Sequence, residues 1–263
     1  MFIKNSDRII NTLQLNNSIH IWTCVLNHLE RTVNNYYSLL SSDEKIRAEK
    51  FKIREIRNRW IITRGLLRVL LSHYQECEPQ QIEFNYNEFG KPFVSADEAG
   101  NSISFNLSDS DDLVVYVFAK TGSVGIDVEK VTEINNLSEV IDLCFHKDEK
   151  KWFNDLPLDK RNNIFYKIWT TKEAYIKAIG KGLSFSPDKI NLLMDSNASM
   201  RYKNIIGDEN HRRWNSISFE PHPDYISTVV IDNNDFKIEY IKVDSQQIIE
   251  QDNYLLKDLI IKK

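Results

Sequence analysis

Two short stretches hold the residues whose types and spacing could do chemistry: Gly125-Ile126-Asp127-Val128-Glu129 and Trp169-Thr170-Thr171-Lys172-Glu173-Ala174-Tyr175-Ile176-Lys177. On a strand alternate side chains share a face, so Asp127 and Glu129 project together while Ile126 and Val128 turn to a core. On a helix residues four apart share a face, so Trp169, Glu173 and Lys177 line one side with Lys172 beside them. Three carboxylates able to converge, with no histidine or cysteine among them, suit a hard cation such as Mg²⁺ held jointly with substrate phosphates. Zinc favours other ligands. On spacing alone a plainer reading stays open, in which Glu173 and Lys177 form a surface pair worth ~0.2–0.5 kcal/mol and the two strand carboxylates are simply solvated.

The elements that must position these residues are legible in part. Ile19 to Val25 alternates as a strand. Leu40-Ser41-Ser42-Asp43-Glu44 reads as a helix start, with a hydroxyl cap and acids in the first turn. From Asp43 to Arg68 nine basic residues stand against four acidic ones. Ile56, Trp60, Leu67, Leu71 and Tyr74 recur there at helical spacing, which predicts a core-facing helix with its basic side exposed. Ile82 to Tyr86, Ser102 to Asn106, Leu113 to Ala119 and Gly125 to Glu129 are expected strands, with a turn at Asn87 to Pro92 and a linker at Ser108 to Asp112. Leu137 to Asp155 and Asn162 to Ala178 are expected helices, the second stopped by Gly180. Lys189 to Leu193, Trp214 to Glu220, Tyr225 to Ile231 and Phe236 to Val243 read as an antiparallel sheet, and the amphipathic tail from 246 to 263 as a docked helix.

Composition bounds the partners. The chain has 263 residues, is 41% hydrophobic and 27% charged, and carries a net charge of −4. That is the balance of a globular protein, and it argues against a general nucleic-acid binder, which needs a broad basic surface. The three cysteines Cys24, Cys77 and Cys144 show no paired spacing, so neither a disulfide framework nor a zinc site is expected. The first residues lack an apolar signal core and no apolar run approaches membrane-spanning length, so the expected location is cytoplasmic, away from membranes.

Gly125 to Glu129, followed 46 positions after Asp127 by Glu173 in Trp-Thr-Thr-Lys-Glu-x-x-x-Lys, resembles the two-part signature of Sfp-type 4′-phosphopantetheinyl transferases. Phe89-Gly90-Lys91-Pro92-Phe93, Phe105-Asn106-Leu107-Ser108 and Gly180-Lys181-Gly182-Leu183 resemble further segments of that family in the same order. The Leu-Ser-x-Asp-Glu-x-x-Arg-x-x-x-Phe pattern ending at Phe51 does so too. Together they cover roughly residues 40 to 190.

The resemblance implies an α+β fold of two similar α+β subdomains related by a pseudo-two-fold axis, with the active site in the cleft between them. No internal repeat is legible in the residues themselves. Residues 1–123 would form the half that contacts coenzyme A, 124–245 the half with the metal and catalytic residues, and 246–263 the tail. The implied reaction is transfer of 4′-phosphopantetheine from coenzyme A to a serine of an acyl- or peptidyl-carrier protein, releasing adenosine 3′,5′-bisphosphate. Asp127, Glu129 and Glu173 would hold Mg²⁺, with Glu173, directly or through a metal-bound water, as base; the residues do not distinguish Mg²⁺ from Mn²⁺. Lys177 and Lys172 would neutralise the leaving bisphosphate. Lys91 and Ser108 would fix the phosphates, and Arg47 and Arg59 the 3′-phosphate. The layout resembles the family's monomeric branch. One departure stands out: Asp109 occupies the position where the family's pattern has a histidine facing the phosphates. A degenerate relative that binds coenzyme A or a carrier protein without transfer is the alternative, and an unrelated metal-dependent phosphotransferase a third reading.

Overall fold

The run Leu113-Val-Val-Tyr-Val-Phe-Ala119 has no polar face, which a strand tolerates when both of its sides are covered. The computed structural model, which describes residues 15, 18–26, 32–96, 102–195, 199–205, 214–232, 236–243 and 261–262, shows what covers them. Val114, Tyr116 and Phe118 pack with a long helix on one side, while Leu113, Val115, Val117 and Ala119 meet a second sheet on the other.

The first half of the α+β chain opens with β1 (Ser18–Val25) and continues through α1 (Val33–Leu39), α2 (Ser42–Ala48) and α3 (Arg54–Gln75). A hairpin of β2 (Phe84–Tyr86) and β3 (Pro92–Val94) follows, then β4 (Ser104–Ser110) and β5 (Leu113–Ala119). The second half repeats that order with β6 (Val124–Lys130), α4 (Leu137–Cys144), α5 (Lys147–Asn154), α6 (Leu158–Ile179), a hairpin of β7 (Ile190–Met194) and β8 (Met200–Ile205), then β9 (Asn215–Phe219) and β10 (Tyr225–Ile231). In each half the last strand lies between the first and the penultimate, antiparallel to both, giving β1-β5-β4 and β6-β10-β9. The two halves are therefore similar units, and the repeat hidden in the residues is plain in the topology.

Three apolar cores follow from this arrangement. One lies between α3 and the first sheet, one around α6 on the second sheet, and one between the sheets, where Ile19 and Ile21 of β1 meet Val124, Ile126 and Val128 of β6 and Val229 and Ile231 of β10. Each fully buried aliphatic side chain contributes roughly 1.5–3 kcal/mol, so the sheet-to-sheet core is a large part of what holds the halves face to face.

Several expectations are corrected. Leu137 to Asp155 is two helices, broken where Phe145 turns into the core and the Glu149 carboxylate accepts from the His146 N–H (2.8 Å) to start α5. Helix α6 begins at Leu158, ahead of Asn162, because Pro157 sets the entry φ at −55°. Strand β4 runs on through Ser110 and returns by a two-residue turn, with Asp111 at φ +46°, so Ser108 and Ser110 belong to a strand and not to a linker. Strand β11 (Lys237–Val243) leaves the second half and pairs in parallel with β1, so the four C-terminal strands are not one antiparallel sheet. The tail lies outside the described residues except for β12 (Ile261–Lys262), which pairs with β11. The basic side of α3 is only partly exposed, since Arg64 and Arg68 are buried. Among the described residues no helix is long and apolar enough to cross a membrane.

Candidate functional site

Helix α6 reaches the reactive strand β6 because residue 125 is glycine. A Cβ there would stand 2.0 Å from the Ala174 carbonyl oxygen and 2.5 Å from the Ala178 nitrogen, so any side chain would push the helix away. With that close approach the stripe Trp169, Glu173, Lys177 runs alongside Glu129 and Asp127. The Trp169 Nε1 donates to Glu129 Oε1 (3.2 Å) at one end, and Lys177 Nζ donates to Asp127 Oδ1 (2.7 Å) at the other. Glu173 stands between them on the same helical face.

The first half closes the site through β4. Its residues 106, 108 and 110 alternate toward β6 and take the place of a backbone ladder. Asn106 Oδ1 accepts from the Ile126 N–H (3.1 Å) and Ser110 Oγ from the Lys130 N–H (3.1 Å). Ser108 Oγ donates to Asp127 Oδ1 (2.9 Å) and accepts from Lys177 (2.7 Å), while Ser110 Oγ donates to Glu129 Oε2 (3.1 Å). Asp127 is thus gripped by two elements besides its own, and its carboxylate is 5% exposed.

Charge at the seam is incompletely compensated. Asp127 Oδ2 is buried with no hydrogen-bond partner. Burial first, then repulsion from Asp127, raises the pKa of Glu173 and of Glu129, with Lys177 opposing in both. Among the described residues no group of three or more histidine, cysteine, aspartate or glutamate side chains is gathered closely enough to clasp a metal unaided. The donor set still fits a hard cation of the Mg²⁺ type, which commonly takes one or two protein carboxylates and completes its shell with water and phosphate oxygens. An orphaned carboxylate oxygen beside two carboxyls of raised pKa is what such an ion would relieve.

The remaining expected residues fall in different places. Arg59 is half-buried on α3 and attracts the Asp109 and Asp111 carboxylates, which puts it at the rim near β4. Arg47 is exposed on α2 with its guanidinium 5.6 Å from the Trp60 ring, beside Arg59 in sequence. Asp109 presents surface to solvent, yet protein displaces much of the water around its carboxyl. That loss of hydration, with repulsion from Asp127, raises its pKa against the pull of Arg59 and Lys177. Lys91 is spent largely on structure: its ammonium donates to the carbonyls of Val124 (3.2 Å) and Ala178 (3.0 Å), tying the β2–β3 turn to the end of α6, and burial lowers its pKa to about 8. Asn87 Nδ2 adds a bond to the Gly180 carbonyl (2.8 Å).

Lys172 corrects the expectation outright. It is 0% exposed, and its ammonium donates to Glu149 Oε2 (2.6 Å) and to the carbonyls of Cys144, Pro187 and Ile190 (2.9–3.0 Å). An ammonium has three donors and here meets four acceptors, so none is left for a phosphate. Its place on α6 faces the opposite core, one residue round from Glu173.

Sequence reasoning missed Ser110, which orients Glu129, and Glu149, which binds Lys172. The signal for Ser110 was the alternation of polar residues at 106, 108 and 110. The signal for Glu149 was its spacing from His146, the same three-residue step that separates Ser41 from Glu44.

Comparison with known proteins adds an independent line. Residues 123–230 match the family model of the 4′-phosphopantetheinyl transferase superfamily, and residues 22–121 match that of a 4′-phosphopantetheinyl transferase N-terminal region. The 4′-phosphopantetheinyl transferase HetI of Nostoc sp. is 34% identical over 174 residues, covering 66% of this chain and 73% of its own length. The 4′-phosphopantetheinyl transferase Sfp of Bacillus subtilis is 25% identical over 214 residues, covering 81% and 92%. A solved holo-[acyl-carrier-protein] synthase of Thermotoga maritima aligns with 41% of this chain and 61% of its own at 22% identity and a TM-score of 0.35.

Proposed function

The chain belongs to the 4′-phosphopantetheinyl transferase family, and from that premise we propose that the seam between its halves is where it moves the 4′-phosphopantetheine arm of coenzyme A onto a carrier-protein serine. The observation that carries the reading is Asp127: one oxygen is tied to Ser108 of β4 and Lys177 of α6, and the other is buried with no partner.

Transfer of this kind asks a protein for positioning and for charge stabilisation more than for covalent chemistry. Glu173 is the group we assign to accept the serine proton as its oxygen attacks the β-phosphorus of coenzyme A. Its place between Trp169 and Lys177 on the face of α6 beside Asp127 is what fits it for that role, and a positioned base is typically worth ~10²–10⁴-fold. Lys177 has three donors, of which Asp127 and Ser108 take two; in this reading the third meets a phosphate oxygen and offsets the charge that builds on the departing adenosine 3′,5′-bisphosphate. Arg59 and Arg47 hold the 3′-phosphate at the rim, where a guanidinium's paired donors match phosphate geometry. Bound Mg²⁺, held by Asp127 with at most one of Glu129 and Glu173 and completed by water and phosphate oxygens, would polarise the pyrophosphate oxygens.

In this reading the half up to residue 123 binds coenzyme A and the half from 124 supplies the chemistry. A single chain provides both walls, which suits a monomer. Three free cysteines, two of them buried, suit a reducing cytoplasm. Asp109 at the phosphate rim favours a second reading, a binder that does not transfer. One experiment separates them: apo-carrier protein incubated with coenzyme A, Mg²⁺ and this chain is weighed by mass spectrometry. Gain of one phosphopantetheinyl group, lost on chelation of the metal, supports transfer; an unchanged mass rejects it.

A further inference from the structure

The two halves share more than strand order. In the first, Glu44 sits at the third position of α2, accepts from the Ser41 N–H (3.0 Å), and is buried against Arg64 and Arg68 of the long helix α3. Arg68 then donates to the carbonyls of Pro79 and Ile82 (both 2.9 Å). In the second, Glu149 sits at the third position of α5, accepts from the His146 N–H (2.8 Å), and is buried against Lys172 of α6, which donates to the carbonyls of Pro187 and Ile190 (both 3.0 Å). Both long helices have 22 residues, and the cation stands fourteen positions after the first residue of each, 54 to 68 and 158 to 172. Each carbonyl pair belongs to a Pro-x-x-Ile segment. The same lock has been built twice, once with guanidinium and once with ammonium.

We propose that Lys172 is a positioning residue: with Glu149 it locks the back of α6, and it acts on the reaction only by fixing where Glu173 and Lys177 stand. The lock ties four segments to one helix turn, namely the end of α4, the start of α5, the turn at Pro187 and the first residue of β7. A further bond from the Leu192 N–H to Glu149 Oε1 (2.8 Å) extends the grip along β7. Glu173 follows Lys172 directly, so rotation of α6 about its axis would swing the base away from Asp127. Gly125 leaves the helix free to lie close to β6, and the lock stops it from turning there. This inference rests on the transferase reading for the role of Glu173, and on the structure alone for the lock.

The test is a double-substitution cycle with Glu149→Gln and Lys172→Met, reading thermal stability and steady-state kinetics with coenzyme A and a carrier protein. Either single change strands a buried charge, whereas the double change removes both. The expected result is a lower Tm for each single variant, with kcat down on the order of tenfold or more and the KM for coenzyme A unchanged. The double variant should recover Tm and kcat above Lys172→Met alone. A phosphate ligand would behave otherwise: Lys172→Met would raise the KM, Glu149→Gln would be silent, and the double would be no better than Lys172→Met, which overturns the proposal. Should Lys172→Met fail to fold, Glu149→Gln suffices, since an unchanged kcat in that variant also overturns it. Failure of the native chain to modify any carrier protein would sink the transferase reading instead and leave the stability cycle interpretable.

Discussion

The two halves use one frame for opposite ends. Counting from the start of each long helix, Glu173 corresponds to Val69 and Lys177 to His73. Facing them, the first strand of the second half presents Asp127 and Glu129, whereas the first strand of the first half presents Trp22 and Cys24 to its apolar core. The frame itself supplies no chemistry: hidden carboxylates on one strand and a charged stripe on one helix turn a helix-on-sheet unit into a site. The first half supplies β4, whose Ser108 and Ser110 hold those carboxylates from the other side.

The comparison is broken most severely by erasing what distinguishes the second half. Asp127→Ala or Glu173→Ala should lower apo-to-holo conversion by at least ~10²-fold with an unchanged circular dichroism spectrum. Full activity in either variant would place the chemistry elsewhere.

The locks differ in sign as well as in cation. Burial works against the charge on Glu44, but Arg64 and Arg68 outweigh it and hold its carboxyl below the usual value; Glu149, with one cationic partner, is raised by burial despite Lys172 and two backbone N–H donors. A depressed carboxylate contributes stability that is present above its unfolded pKa of about 4.5 and lost as pH falls through the lower folded value. Glu44→Gln should therefore cost about 3–5 kcal/mol at pH 7, and the gap to the native chain should narrow as pH drops below that unfolded value. Urea titrations at neutral and acid pH read this. Glu149 has the opposite sign, so acid does not remove its contribution, and a gap for Glu149→Gln that narrowed in the same window would erase the distinction.

Gly125→Ala tests the seam from the backbone. Overpacking should cost about 1–3 kcal/mol and displace α6, reducing kcat on the order of 10²-fold. Stopped assays with saturating coenzyme A measure it, and near-native kcat would mean the close approach is dispensable. The smallest effect is expected at the rim, where Asp109→His should lower the KM for coenzyme A a few-fold by removing a repelling carboxylate. An unchanged or higher KM would mean that the rim is built around the aspartate and Arg59.

Much of this was legible in advance because it is local. Alternation placed Asp127 and Glu129 together, helical spacing placed Glu173 and Lys177 together, and Gly180, in the left-handed region at φ +69°, ends α6 as expected. What failed depended on partners distant in sequence. Lys172 looks like one more cation on the signature helix until Glu149 and the Pro187 turn close over it. Lys91 looks like a free turn lysine until the carbonyls of Val124 and Ala178 take two of its three donors. Strand β11 alternates like its neighbours, and nothing local says that it crosses back to pair with β1. The repeat stayed hidden because Arg and Lys, or Ser41 and His146, fill equivalent places without sharing identity.

The central claim is that Asp127 anchors a metal-dependent phosphate site at the seam. Titration of Mn²⁺ into the chain with coenzyme A present, followed by electron paramagnetic resonance, tests it most directly. The account predicts one bound ion in the native chain and loss of that ion in Asp127→Asn; equal binding by both would contradict it.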